Sequence, residues 1–259
     1  MQDQDIRGRF LWYDLMTTDP KGAQAFYGKV AGWGEQAWGD SQPPYVMFTR
    51  GGVPIGGSMQ LPDQAVKMGA RSHWIAYVGT PDVDKTVADA TAVGARPHVA
   101  PQDIPNVGRF AVLADAQGAT IAFFTPSNEQ PPSHKPEIGD MSWHELVTTD
   151  PDVAFGFYTT LAGWDAAGEH DMGPMGIYQM FGRQGVTLGG IFKRPAEMPA
   201  PSHWLLYIRV ADINKAVDDV KANGGQLLHG PAEVPGGDWT AQCMDPQGAV
   251  FALHQRKAG

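Results

Sequence analysis

Trp12-Tyr13-Asp14-Leu15-Met16-Thr17-Thr18-Asp19-Pro20 returns as Trp143-His144-Glu145-Leu146-Val147-Thr148-Thr149-Asp150-Pro151, and every later residue is read through that return. The register is kept outward from it. Phe26-Tyr27 matches Phe157-Tyr158, Gly32-Trp33 matches Gly163-Trp164, and Gly56-Gly57 matches Gly189-Gly190. Ser72-His73-Trp74 matches Ser202-His203-Trp204, and Asp115-Ala116-Gln117-Gly118-Ala119 matches Asp245-Pro246-Gln247-Gly248-Ala249. The chain is therefore two copies of one module joined head to tail. Residues 1–126 form the first copy and 139–259 the second. Between them, 127–138 is too rich in proline and polar residues for a core strand or a helix and reads as a linker.

Within each copy the same local signals recur. Phe10 to Met16 reads as a strand, and Asp19-Pro20 and Asp150-Pro151 each supply an N-cap followed by proline at the first helical position, where its missing N–H costs nothing. Ala23, Phe26, Tyr27 and Val30 recur at helical spacing, and Gly32 is placed to end that helix in the left-handed conformation. Three short strands follow, around Trp38, Tyr45 to Thr49 and Ile55 to Met59. A second cycle runs from a strand at His73 to Val78, through an Asp82-started helix, to strands near His98, Phe110 to Leu113 and Thr120 to Thr125. The expected class is α+β. Each copy holds two βαβββ units whose eight strands curl into a cup, with helices outside and a concave face within, the usual place for a small ligand.

Composition narrows the partners. Of 259 residues, 42% are hydrophobic and 18% charged, as in a folded globular protein. A formal net charge of −9 disfavours nucleic acid and anionic lipid. The apolar runs are strand-length and the start Met1-Gln2-Asp3-Gln4-Asp5 is polar, so a cytoplasmic protein is expected, a monomer with internally paired modules or a homodimer. The one cysteine, Cys243, lies in an apolar-polar strand pattern and reads as a buried structural thiol. No Gly-X-Ser-X-Gly elbow, phosphate loop or paired-cysteine zinc motif is present.

A strand, Asp-Pro, then a helix bearing Phe-Tyr and ending in Gly-Trp resembles the opening of the glyoxalase/bleomycin-resistance/dioxygenase (vicinal oxygen chelate, VOC) superfamily. The strand-opening His73 and His203 and the Asp-X-Gln-Gly-Ala turns add to the resemblance, which covers nearly the whole chain. It implies tandem modules of that fold and binding of a small oxygenated organic molecule. The activity implied is a glyoxalase-like lyase or isomerase, or a dioxygenase-type enzyme. Many members hold one divalent metal through the first, fifth and eighth strands. Here those positions fall on Trp12 and Trp143, on His73 and His203, and on Ala122 and Ala252, and neither tryptophan nor alanine donates to a metal. The superfamily also includes metal-free binders with aromatic-lined cups, such as antibiotic-sequestering proteins, an alternative that Trp12 and Trp143 fit.

Strand alternation offers a shifted site as well. Glu145, His203 and His254 share the expected inner face of the second copy, a 2-His-1-carboxylate set suited to Fe, Zn, Ni or Mn, whereas the first copy has Asp14, His73 and Phe124 there. Steps of two from His203 add Tyr207 and Arg209, matched by Tyr77 and Gly79. Tyr207 and Tyr77 would donate to a ligand carbonyl and Arg209 would meet an anionic group, with Glu145 and Tyr207 as the catalytic candidates. The Gly51-Gly52 and Gly56-Gly57 pairs read as a hairpin turn and a bulge, or as room for a ligand. His144 and His254 against Tyr13 and Phe124 point to the second copy as the chemically active one.

Overall fold

The computed structural model describes residues 6–39, 44–130, 135–198 and 200–257. The first copy runs β1 (Phe10–Thr17), α1 (Pro20–Val30), β2 (Gly34–Ala37), β3 (Tyr45–Arg50), β4 (Val53–Gln60), α2 (Asp63–Lys67), β5 (His73–Gly79), α3 (Val83–Ala92), β6 (Arg96–Ile104), β7 (Gly108–Ala114) and β8 (Thr120–Pro126). The second runs β9 (Met141–Thr148), α4 (Pro151–Ala162), β10 (Asp165–Asp171), β11 (Ile177–Arg183), β12 (Val186–Lys193), β13 (His203–Arg209), α5 (Ile213–Ala222), β14 (Gln226–Glu233), β15 (Trp239–Met244) and β16 (Val250–Gln255).

The helix starts lie where the sequence puts them. Asp19 accepts from the Gly22 N–H at 3.0 Å and Asp150 from the Val153 N–H at 3.1 Å, with Pro20 and Pro151 opening the helices. Gly32 and Gly163 take φ of +69° and +67°, the left-handed turn that closes each helix. Trp38 falls one residue beyond β2 and is 46% exposed, and the one-and-a-half-turn α2 was not signalled by apolar periodicity.

Two mixed eight-stranded sheets result, ordered β2-β3-β4-β1-β5-β8-β7-β6 and β10-β11-β12-β9-β13-β16-β15-β14. The pairs β1 with β4, β5 with β8, β9 with β12 and β13 with β16 are parallel, as a helix crossover in each βαβββ unit requires. Each sheet thus belongs to one copy. The compact packing units are drawn differently. One comprises the described residues of Met1–Trp12, Ala76–His134 and His144–Trp204, and the other those of Tyr13–Ile75, Lys135–Trp143 and Leu205–Gly259.

Each unit has an aromatic core on the helix-facing side of its strands. In the first, Tyr158 stacks on Trp164 and meets Trp204 edge-on, both at 5.3 Å. Its hydroxyl donates to Asp115 Oδ2 at 3.0 Å and accepts from Trp204 Nε1 at 3.1 Å, while Asp115 Oδ1 accepts from the Gln117 and Ala119 N–H groups. In the second unit Tyr27, Trp74 and Asp245 repeat this, with Tyr27 donating at 3.1 Å and accepting from Trp74 Nε1 at 3.0 Å. Burial pushes both carboxyl pKa values up, against the pull of these hydrogen bonds. Cys243 is fully buried, and burial raises its thiol to about 12, which leaves it a packing residue.

Candidate functional site

On the sheet face opposite the helices, a buried carboxylate meets a tyrosine in each copy. Asp14 on β1 lies beside Gly57 on β4, and Tyr45 on β3 reaches over that glycine to donate to Asp14 Oδ1 at 2.6 Å. Glu145 on β9 lies beside Gly190 on β12, and Tyr178 on β11 donates to Glu145 Oε2 at 2.9 Å. Asp14 and Glu145 are 6% and 7% exposed.

The glycines make room for the rings. A Cβ at Gly57 would sit 2.1 Å from Tyr45 Oη and 2.2 Å from Cζ, and one at Gly190 would sit 2.0 Å from Tyr178 Cε1. Gly56 and Gly189 serve the other face, where a Cβ would lie 2.5 Å and 1.9 Å from the carbonyls of Tyr13 and His144. Gly51 and Gly52 form the hairpin turn between β3 and β4, as the sequence suggests, and the strand register shifts beside Gly56 and Gly189, whereas Gly57 and Gly190 open room that the protein's own tyrosines fill. Those last two glycines are the signal that would have revealed Tyr45 and Tyr178, which the sequence reading missed.

His73 and His203 open β5 and β13 half-buried, and each Nδ1 lies against the carbonyl two residues earlier, Arg71 at 2.7 Å and Pro201 at 2.8 Å. A carbonyl only accepts, so Nδ1 carries the hydrogen and the Nε2 of the neutral ring keeps its lone pair. Burial holds His203 below the usual histidine range, with Arg194 nearby adding to the shift and the Pro201 bond opposing it.

The expected ligand set is not brought together. His254 Nδ1 lies 2.8 Å from the Ser142 hydroxyl and its Nε2 2.9 Å from Asp238, so both ring nitrogens are engaged. Among the described residues no group of three His, Cys, Asp or Glu side chains is placed to hold a metal ion. Of the positions that carry metal ligands elsewhere in the resembling family, only the fifth-strand one keeps a donor here, His73 and His203, while the other two fall on Trp12 and Trp143 and on Ala122 and Ala252. Trp143 packs on a cluster of Leu205, Tyr207 and Ala252, all at most 5% exposed. The donors among the described residues do not fit a catalytic metal, which normally takes three protein ligands.

Tyr207 is buried in that cluster. Tyr77 is 8% exposed, its ring 6.0 Å from Phe110 and 6.4 Å from Phe124. Trp12 is half-buried on β1. The Arg209 guanidinium donates to the Pro136 carbonyl, tying the segment before β9 to β13. His144 faces the helix side, stacked on Phe10 at 3.5 Å and 2.8 Å from the Leu188 carbonyl, and burial lowers its pKa to about 4. It is a neutral core residue, so its difference from Tyr13 reflects packing.

Residues 141–253 match the family described as Glyoxalase/Bleomycin resistance protein/Dioxygenase superfamily, and residues 11–124 match the Glyoxalase-like domain. CFP32 of Mycobacterium tuberculosis (strain CDC 1551 / Oshkosh), a glyoxylase by name, is 30% identical over 254 residues, 93% of this chain and 92% of that protein. The chain belongs to this superfamily. Another relative, the anthracycline biosynthesis protein DauV of Streptomyces sp. (strain C5), is 25% identical over 254 residues, 93% of this chain and 91% of that protein. Among solved structures, the 2,3-dioxygenase LapB from Pseudomonas sp. KL28 aligns with TM-score 0.64 at 14% identity, covering 96% of this chain and 92% of LapB. The Mn(II)-bound glyoxalase from Novosphingobium aromaticivorans aligns with TM-score 0.63 at 14% identity, covering 96% and 82%. These structures share the VOC fold. No helix among the described residues is long and apolar enough to cross a membrane.

Proposed function

We propose that this VOC protein binds a small oxygenated organic molecule without a metal, anchored in each copy on the carboxylate–tyrosine pair. The observation that carries the reading is the recurrence of that pair, Asp14 with Tyr45 and Glu145 with Tyr178, each seated on a glycine and each opposite the helix side. Polar groups held buried at this cost, in both copies, suit recognition of a hydroxyl or carbonyl. Lyase and dioxygenase chemistry of the metal-dependent kind finds no three-ligand set among the described residues, which favours sequestration. The name of DauV, an anthracycline biosynthesis protein, supports a small organic ligand. A cytoplasmic, nucleic-acid-free setting goes with the reading.

The test is calorimetric titration with catechol, 2,3-dihydroxynaphthalene and phenylpyruvate in excess EDTA. At least one should bind, and the Tyr45→Phe/Tyr178→Phe double variant should weaken it three- to tenfold, about the worth of one hydrogen bond per site. Binding only with added Fe(II), Zn(II), Ni(II) or Mn(II), or no binding at all, overturns the proposal.

A further inference from the structure

Three polar side chains of the second copy line up where the first copy has none. The Ser142 hydroxyl on β9 lies 2.8 Å from His254 Nδ1 on β16, and His254 Nε2 lies 2.9 Å from Oδ2 of Asp238, just before β15. Asp238 Oδ1 accepts from the Lys257 N–H at 2.8 Å, which fixes the carboxylate. All three residues belong to one packing unit. The matching first-copy residues are Leu11, Phe124 and Gly108. A Cβ at Gly108 would stand 2.6 Å from the Phe124 ring, so an apolar ring and a bare backbone fill that place there. Packing alone is thus served by apolar residues, and a half-buried polar trio gains no stability over them.

A carboxylate only accepts, so His254 Nε2 carries the hydrogen of the neutral ring and Nδ1 keeps the lone pair. The Ser142 hydroxyl therefore donates to Nδ1, with the Tyr207 carbonyl at 3.3 Å as its weaker alternative. This is the proton order of a Ser-His-Asp triad with the imidazole turned end for end, and a triad is set by geometry rather than by the elbow motif that the sequence lacks. Arg209 pairs with His254 across β13 and β16, and Thr240 pairs with it across β15 and β16, so both side chains share its face.

We infer that Ser142, His254 and Asp238 form a nucleophilic site that cleaves small carboxylic esters. Ser142 Oγ attacks the ester carbonyl and its proton passes to His254 Nδ1. The carbon–oxygen bond to the alcohol then breaks, and the departing oxygen takes that proton. Water attacks the acyl-serine, gives a proton to Nδ1 and releases the acid as Oγ is reprotonated. Arg209, tied by one nitrogen to the Pro136 carbonyl, has further N–H groups to meet the charge on the carbonyl oxygen. Asp238 is a positioning residue that keeps the ring hydrogen on Nε2. Ser142 is half-buried and the His254 side chain is 13% exposed, so the site admits a short acyl group from solvent. It shares no residue with either carboxylate–tyrosine pair and stands whether or not they bind.

The probe is p-nitrophenyl acetate with the full chain, read by p-nitrophenolate release and by mass spectrometry of the acetylated peptides. An acetyl group should appear on Ser142, with a burst of phenolate before the steady rate. Ser142→Ala should abolish the burst, and His254→Gln should slow acylation by about a hundredfold or more, the lower end of what a positioned base supplies. Ser142→Cys keeps a nucleophile and should keep the burst. Asp238→Asn should lower kcat by about tenfold or more with KM and the thermal midpoint unchanged, a split that a purely structural role does not produce. Acetylation of the native chain confined to lysines and the N-terminus, an unchanged burst in Ser142→Ala or His254→Gln, or a native kcat in Asp238→Asn would each overturn the triad. The location of the acetyl group in the native chain decides even where a variant fails to fold.

Discussion

Gly57 and Gly190 show how a single missing side chain sets a site. Alanine at either position drives a methyl into a tyrosine ring, so the ring must leave and the buried carboxylate loses the tyrosine hydroxyl as a donor. Gly57→Ala and Gly190→Ala should each destabilise the fold by roughly 2–5 kcal/mol, combining overpacking with a lost buried hydrogen bond, as read by urea denaturation. Gly156, inside α4 with nothing within 4 Å of its would-be Cβ, is the contrast. Gly156→Ala should stabilise by about 0.5–1 kcal/mol through helix propensity, and a loss of stability there would contradict the packing described for α4.

His144 gives the same scale a pH signature. Its folded pKa of about 4 lies below the unfolded value near 6.5, so in that window the unfolded chain binds the proton that the folded chain refuses. Stability from this residue is complete above about pH 6.5 and falls as pH drops towards 4, by at most about 1.4 kcal/mol per unit. His144→Tyr, the residue at the matching first-copy position, should flatten the urea midpoint between pH 7.5 and 4.5. An equally steep decline in the variant would place the proton elsewhere.

At the scale of elements, what was legible and what was not divides along sequence distance. Asp-Pro starts, left-handed glycine ends and strand alternation are local signals, so both copies' helices and the opposite facings of His144 and Glu145 follow from a few consecutive residues. Partners across strands are not local. Alternation put His254 on a face but could not foresee that Ser142 on β9 and Asp238 before β15 would take its two nitrogens. Tyr45 and Tyr178 likewise depend on the three-strand registers that bring β3 over β4 to β1 and β11 over β12 to β9. The Asp-X-Gln-Gly-Ala turn was visible as a motif, whereas its buried tyrosine partner was not. Tyr158→Phe strips Asp115 and Trp204 of a shared hydroxyl and should cost about 1–3 kcal/mol in thermal or urea unfolding, as should Tyr27→Phe for Asp245 and Trp74.

At the scale of the molecule, the sequence repeat and the packing units cut the chain differently. The core around Tyr27 takes α1 from the first copy and the Asp245 turn and Phe251 from the second, and the core around Tyr158 takes the reverse. A fragment of residues 1–128 alone therefore lacks half of each core. It should bind a hydrophobic dye, unfold without a cooperative transition, and regain both properties of the intact chain when mixed with residues 129–259. A cooperative, dye-free fragment would show that one copy suffices.

Gln117 carries this arrangement beyond the individual fold. Its side-chain oxygen accepts from the Asp150 N–H and the Thr149 hydroxyl, and its amide donates to the Asp150 carbonyl, so the closing turn of one repeat seats the opening helix of the other. After such a gene doubles, a change in that turn is felt at a site encoded a few dozen codons downstream, and drift there is held in check by both repeats at once. Each carboxylate–tyrosine pair, by contrast, is made within a single repeat, which leaves that side of the sheet as the ground on which the twins are free to become different proteins.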